Sequence, residues 1–389
     1  GFAPELAWVE RNSSAEEDSE RLAIRPTSET IIYDSYSKWI RSWRDLPLKI
    51  NQWCNVLRWE VKQTRPFLRT REFLWQEGHC VYETKEECDK EVREILDEYK
   101  KICEELLAIP VISGTKTEAE RFAGALYTTT IESLMPDGKA LQMGTSHNLG
   151  QGFAKSFGIK FKDKNEKLSI PWQSSWGIST RLIGSVILMH GDDKGLILPP
   201  NVAEKKIVIV PILFKEKNKN IIKKAKEIEK KLSEFNAFSD LREEYSAGWK
   251  FNEWEMKGIP IRIEVGPNDL KKKQVVLVRR DSGKKEFVKE SELMKKIPKI
   301  LDDIQKSLFK KALGFLKENT VEAKNYNDFK KAIENRKLVK VFFSGDVKTE
   351  KKIKEETGAT SRCIPFNAKS GKCIFTGKSG KETFFARAY

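Results

Sequence analysis

Apolar residues recur along this chain with two periods, and each period predicts an element. From Thr84 to Leu107 they fall at three- and four-residue steps: Val92, Ile95, Leu96, Tyr99, Ile102, Cys103 and Leu106. That spacing lines one face of a helix. Thr84 with Glu87 three residues on is a capping pair for its start, and Pro110 follows its end. A second amphipathic helix begins at Leu293, with Ile297, Ile300, Leu301, Ile304 and Leu308 on one stripe. The runs Lys205–Phe214, Ile259–Gly266 and Lys273–Asp281 are rich in β-branched residues and predict strands, with a lysine-rich helix near Asn220–Phe235 between the first two. Strands alternating with helices there predict a small α/β domain, entered through a linker near Pro199-Pro200-Asn201. The organisation expected is 1–203, 204–300 and 301–389, the last a small module of its own.

A different pattern occupies Arg58–His79, RWEVKQTRPFLRTREFLWQEGH. Read as an antiparallel hairpin, with Gln63–Pro66 in its loop, it puts Arg58 and Glu60 on one face. Phe73, Trp75, Glu77 and His79 share a face by the same alternation, with Arg69 and Arg71 on their parity. The result is a surface of guanidinium groups, carboxylates and flat rings. Arginine offers two parallel donors matched to phosphate or carboxylate. Rings and guanidinium planes can also stack on a purine. A packed core would not take Arg58 or Arg69, and a solvated face would prefer lysine and glutamate to tryptophan.

Charge changes the picture for the second half only. Residues 1–203 hold 27 Lys+Arg against 30 Asp+Glu, and residues 204–389 hold 45 against 27, so the balances are −3 and +18. A lopsided positive surface attracts polyanions through counterion release. No run of ~18 apolar residues occurs, so no membrane-spanning helix is expected. Six scattered cysteines form no dense framework, which points to a reducing compartment, the cytoplasm. The chain opens in GFAPELAWV, which reads like the middle of a domain; a leader upstream of it stays open.

Arg58-x-Glu60, a variable loop and Arg69-Thr-Arg-Glu-Phe73 resemble motif 2 of the class II aminoacyl-tRNA synthetases. Gly177–Pro200, a small-residue strand ending at an arginine and then a helix, is similar to their motif 3. The strings RPTSET (Arg25–Thr30), TREFLWQEGH (Thr70–His79), GTSHNLGQ (Gly144–Gln151) and GWKFNEWEMKGIPIRIEVGP (Gly248–Pro267) narrow the resemblance to prolyl-tRNA synthetases of the eukaryotic and archaeal form. It covers nearly the whole chain. The fold it implies is α/β (α+β): an antiparallel-sheet catalytic domain, an α/β anticodon-binding domain and a small C-terminal α+β module.

The resemblance implies ATP-dependent activation of L-proline to an adenylate, then transfer to tRNA(Pro), with ATP and Mg2+ required and a homodimer as the working form. The attacking carboxylate is already ionised at neutral pH, so alignment and charge neutralisation suffice and no general base is needed. Arg58 matches the position bridging the substrate carboxylate and α-phosphate, and Arg181 the motif 3 arginine over adenine and phosphates. Glu60 is carried over to adenine's amino group, Arg69 and Thr70 to the γ-phosphate side and the base, and Ser179 to the ribose. Gln142 and Thr145 match nucleotide contacts, Gln142 with a magnesium link. Thr27 and Glu29, two apart and on one face if extended, can accept the two N–H bonds of proline. His147 joins Arg58 at the carboxylate, while Trp75, Glu77 and Phe122 wall the ring. Glu255 and Arg262 are the candidates for anticodon bases, and Lys271–Lys273 for backbone or solvent.

The departures are informative. Motif 1, which builds the dimer interface, is expected upstream of Gly1. The editing insertion of bacterial relatives does not fit between Gly78 and Trp176, so smaller amino acids should leak through a pocket that selects by shape. Cys363 and Cys373 alone do not complete a tetrahedral zinc site, and structural zinc is not expected. The terminal Ala388-Tyr389 resembles relatives whose last tyrosine turns toward the active site, though ring packing serves equally. Two rivals stand beside this reading. A non-catalytic RNA-binding relative would usually lack arginines such as Arg58 and Arg181. A threonyl-type enzyme would grip its substrate through zinc, yet His79, His147 and His190 form no pair at metal spacing. Deleting everything after Glu204 is expected to spare the ATP chemistry and weaken tRNA binding.

Overall fold

The computed structural model describes residues 5–9, 22–213 and 218–389. The expected strand residue Phe214 lies outside them. The chain divides into two compact units, one of residues 1–101, 111–185 and 316–389, the other of 102–110 and 186–315.

The first unit is built on a long, largely antiparallel sheet. Helix α1 (Glu29–Trp39) precedes strand β1 (Leu48–Leu57). Then come β2 (Glu72–Tyr82), α2 (Lys85–Lys101), β3 (Ile112–Thr115), β4 (Tyr127–Leu134), β5 (Ala140–Gly150) and β6 (Trp172–Ser179). Helix α3, Arg181–His190, follows directly on the last of these strands. β1 alternates half-buried and exposed residues along most of its length, as an edge strand does, whereas β2 is buried on both faces from Gln76 onward. The capping pair forms as expected: the Thr84 N–H donates to Glu87 Oε2 (3.1 Å) and the Glu87 N–H to Thr84 Oγ1 (3.2 Å). The helical periodicity continues past α2 into a π turn at Ile102–Leu106.

The second unit is the expected α/β domain. Its sheet runs β8 (Ala237–Ser239), β7 (Ile207–Pro211), β9 (Ile261–Val265), β10 (Gln274–Arg279), β11 (Lys285–Lys289), parallel across the first three and antiparallel across the rest. Helix α4 (Lys219–Lys231) and the long helix α6 (Leu293–Glu318) seal its core, and α5 (Ala247–Met256) lies between β8 and β9 in sequence. Leu293, Ile297, Leu301, Ile304 and Leu308 are buried in that core, and Ile300 packs at its margin.

After α6 the chain returns to the first unit. Strands β12 (Thr320–Glu322), β13 (Leu338–Phe343), β14 (Ala359–Pro365) and β15 (Ser379–Arg387) extend the same sheet, in the order β12-β13-β15-β14-β3-β4-β5-β6-β2-β1, with Ser370–Lys372 flanking β15. The joint is β14 against β3, Ile364 opposite Thr115 and Pro365 opposite Gly114. A Cβ on Gly114 would lie 2.2 Å from the Ile364 carbonyl oxygen, so the close approach needs glycine. The expected independence of residues 1–203 therefore meets a physical obstacle: a cut after Glu204 would strip β14 from β3 and leave the four-residue edge of β3 unpaired.

Gly78 in β2 has the same character. Its Cβ would fall 2.1 Å from Cζ2 of Trp176 on β6. We expect Gly78→Ala to lower unfolding free energy by about 1–3 kcal/mol through overpacking. Denaturant titration checks it, and a midpoint equal to wild type would contradict this packing.

Candidate active site

Two adjoining cavities open on the sheet of the first unit, each of about 210 Å³. The first is lined by Thr27, Glu29, Trp75, Glu77, Phe122, Gln142, Thr145 and His147 among others; the second by Glu60, Arg69 and Thr70 with Val61, Phe67 and Leu68. Arg58, Phe73, Ser179 and Arg181 line both. The side chains singled out in the catalytic half of the sequence thus gather at one place, although Thr27 and Arg181 are far apart in the chain.

The elements explain how. Phe73, Trp75, Glu77 and His79 alternate along β2 and all face the first cavity, as the hairpin reading required. The reading fails further out. β1 ends at Leu57 and β2 starts at Glu72, so Arg58, Glu60 and Arg69 sit on the connecting segment, closed by an Arg65–Arg69 bridge and by the Arg58 N–H to Arg71 carbonyl bond (2.7 Å). Alternation has no meaning there. Arg71 turns away, donating to the Val61 carbonyl (2.9 Å) and lying 4.7 Å over the Trp59 ring. Glu29 likewise opens helix α1 and is not in an extended stretch. Thr27 reaches the first cavity from just before the helix, and its hydroxyl donates to Glu29 Oε2.

Among the described residues, the two shared arginines have no carboxylate partner in hydrogen-bond contact. Arg58 Nε donates to the Pro26 carbonyl (3.4 Å), and its guanidinium lies 5.3 Å over Phe73 and 5.7 Å over Trp75. Arg181 Nε donates to the Leu68 carbonyl (3.0 Å) and NH1 to that of Gln142 (3.1 Å). Carbonyl dipoles satisfy one N–H of Arg58 and two of Arg181 and leave the charge uncancelled. Withdrawal from water pulls Arg181 down to about 10, so it stays charged at neutral pH. Burial lowers Arg58 as well, partly offset by Glu60, Glu29 and Glu77.

His147 on β5 packs its ring, tilted by 38°, against that of Phe122 at 4.8 Å, and its Nδ1 contacts the Thr128 hydroxyl at 2.9 Å. Burial holds it down at about 3, so it is a neutral imidazole. Glu77 lies along the first cavity, but its carboxylate is engaged from within the protein. Ser28 donates to it, as do Gln52 Nε2 (2.6 Å) and Cys54 Sγ (3.4 Å), and His79 Nε2 stands 3.0 Å from its other oxygen. Burial raises its pKa, but the bonds from His79, Ser28 and Gln52 outweigh that and hold it below the ordinary range.

Several residues escaped sequence reading: Ser28 and Gln52, which bond the Glu77 carboxylate, and Lys116, Glu120 and Thr128, which line the first cavity. Thr128 was findable, because it faces His147 across the β4–β5 pair. Lys116 carried no local signal.

The last residue, Tyr389, packs and also reaches toward the site. Its hydroxyl donates to Asp137 Oδ1 (2.5 Å), Arg65 and Lys139 lie over its ring, and its main-chain oxygen accepts from Arg69 NH1 (3.0 Å). In the second unit, Arg262 is paired with Glu264 (2.9 Å) and lies 4.3 Å over Phe251, and Glu255 is paired with Lys194 (3.1 Å). Both line one small cleft with Trp254 and Arg280. All six cysteines are free, and Cys363 and Cys373 are buried.

Comparison with known proteins agrees with this geometry. The class II tRNA synthetase core domain (G, H, P, S and T) matches residues 8–190, an anticodon binding domain matches 206–300, and the prolyl-tRNA synthetase C-terminal domain matches 326–389. Proline–tRNA ligase of Natranaerobius thermophilus is 51% identical over all of this chain and 81% of its own length. The corresponding protein of Rubrobacter xylanophilus is 52% identical over all of this chain and 82% of its own. Proline–tRNA ligase 2 of Bacillus cereus is 50% identical, with the same coverage. With its three domain matches in order and half-identical relatives along its full length, the chain belongs to the prolyl-tRNA synthetase family of class II aminoacyl-tRNA synthetases.

Proposed function

We propose that this chain activates L-proline with ATP and transfers it to the 3′ end of tRNA(Pro). The observation that carries the proposal is the placing of Arg58 and Arg181 in the wall common to two cavities. One cavity has the size and lining for an imino acid, the other for a nucleotide base. Proline's carboxylate oxygen attacks the α-phosphorus, and the bond to the bridging oxygen breaks to release pyrophosphate. The tRNA ribose hydroxyl then attacks the acyl carbon, and AMP leaves. The two guanidinium groups neutralise charge gathering at phosphorus in a site poor in water, where a fixed cation acts most strongly.

In this reading Thr27 and Glu29 receive the ammonium, His147 and Arg58 address the carboxylate, and Phe122 and Trp75 wall the ring. Glu77 acts indirectly, fixing Ser28 and hence the start of α1. Glu60, Arg69 and Thr70 hold the base and terminal phosphates, and Ser179, Gln142 and Thr145 the ribose and phosphate side. Among the described residues no three His, Cys, Asp or Glu side chains gather to hold an ion. A magnesium ion carried mainly by phosphates needs only one or two protein ligands. Gln142 would supply one, and the ion would neutralise the leaving pyrophosphate.

We read the chain as the eukaryotic and archaeal form. Residues between Gly78 and Trp176 are taken up by α2 and the core strands, leaving no editing module there. The domain matches fall in series at 8–190, 206–300 and 326–389 and support catalytic, anticodon and C-terminal segments in that order; the expected boundary at 300 falls inside α6, and the last segment shares the catalytic sheet. A homodimer is supported by the edge strand β1, where Trp53 is 80% exposed beside Leu74, 62% exposed, on the same face of β2. No helix among the described residues is long and apolar enough to cross a membrane, and a cytoplasmic enzyme is the state that fits. Glu255 and Arg262, in their shared cleft, are the proposed readers of anticodon bases.

Proline-dependent ATP–pyrophosphate exchange tests the activity. Wild type should exchange with proline, weakly with alanine and cysteine, and not with threonine, and Arg58→Ala should lose roughly a hundredfold or more. Normal exchange by that variant would refute the role of Arg58. Because His147 stays neutral, the KM for proline should be flat from pH 8 to pH 6. An inflection near pH 6.5 that His147→Asn removes would contradict it. Glu255→Ala should cut tRNA charging by roughly tenfold and leave exchange intact; equal charging would remove that residue from the anticodon site.

A further inference from the structure

The first cavity is backed by a buried cluster whose members come from three separate parts of the chain. Glu132 on β4 is 3% exposed. Lys116 Nζ reaches its Oε1 at 2.6 Å, and Thr130 donates to the same oxygen at 2.9 Å. Arg362, on β14, grips the other oxygen through Nε (3.0 Å) and NH2 (2.7 Å), while its NH1 donates to the Thr360 hydroxyl (3.0 Å). Burial alone would raise the Glu132 carboxyl, but Arg362 and Lys116 outweigh it and hold it ionised. Glu132 stands opposite Gln142 across the β4–β5 pair, and the Gln142 carbonyl accepts from Arg181. Glu132 is also the carboxylate whose charge acts most on Arg181.

We propose that Arg362 is a positioning residue for ATP binding: with Lys116 it saturates Glu132, so that this carboxylate holds Arg181 in place by its field without capturing it in an ion pair. Without Arg362, one oxygen of a buried carboxylate has no partner, and an unpaired buried charge is costly enough to recruit a neighbouring cation. Arg181 is such a cation, because it is tied to Gln142, the residue opposite Glu132, and among the described residues its own bonds go to carbonyls. Captured, it is lost to the phosphates. The C-terminal segment therefore takes part in nucleotide binding through a side chain that never touches the nucleotide.

This rests on reading Arg181 as an ATP contact, and calorimetric ATP titration of the full chain tests it without requiring turnover. Arg362→Met should weaken ATP binding roughly tenfold or more, and adding Glu132→Gln should restore part of that loss by removing the captor, the remainder being the field that Glu132 no longer supplies. Gly114→Ala, at the same β3–β14 joint, should lower the melting temperature with little change in ATP affinity. Arg362→Lys, which keeps a cation, should fall between wild type and Arg362→Met and be rescued by the same second change; it replaces Arg362→Met if that variant does not fold. Wild-type ATP affinity in the Arg362 variants would overturn the proposal, and so would a double variant weaker than the single one. A wild type that binds ATP with this pattern yet shows no proline-dependent exchange would sink the assigned activity and leave the positioning role standing.

Discussion

Two positive charges set into the protein against neutral partners are the constraint around which the site is arranged. Arg181 and Arg58 meet main-chain carbonyls of Leu68, Gln142 and Pro26. Each carbonyl satisfies an N–H, but none cancels the charge. A carboxylate in their place would give a stable, inert ion pair. The structure instead keeps its strong carboxylate contacts one layer back, where Glu132 is taken by Lys116 and Arg362, and Glu77 by Ser28, Gln52 and His79. The junction of the two cavities is left positive, in surroundings that screen poorly, for a ligand that brings its own negative charge.

Much of this was legible in the sequence, and the failures have physical causes. The alternation of Phe73, Trp75, Glu77 and His79 held because β2 is a continuous strand buried on one long stretch. The same logic broke at Arg58–Arg71, where the chain leaves the sheet and backbone closure by Arg65 and Arg69 takes over. Thr27 and Glu29 reached one cavity by a different route from the one expected, through the first turn of a helix. The amphipathic stripes of α2 and α6 were readable because periodicity is a local property.

Long-range pairings were not readable. Glu132 and Arg362 are 230 residues apart and each, taken alone, is an ordinary charged residue in a strand. Nothing nearby says that the strands after α6 complete the sheet that carries the two cavities. The charge split of −3 and +18 suggested instead that the second half is a separable RNA-binding part. Charge counts describe surfaces, and the pairing of β14 with β3 is decided by backbone hydrogen bonds and by a glycine small enough to permit it.

The most direct test of the shared junction is a crystal structure with a non-hydrolysable prolyl-adenylate analogue. The account predicts the phosphate-like group between the guanidinium groups of Arg58 and Arg181, the ring against Phe122 and Trp75, and the base beside Glu60 and Thr70. An analogue bound with either guanidinium turned away from the linking group, or with its ring and base in the opposite cavities, would contradict it.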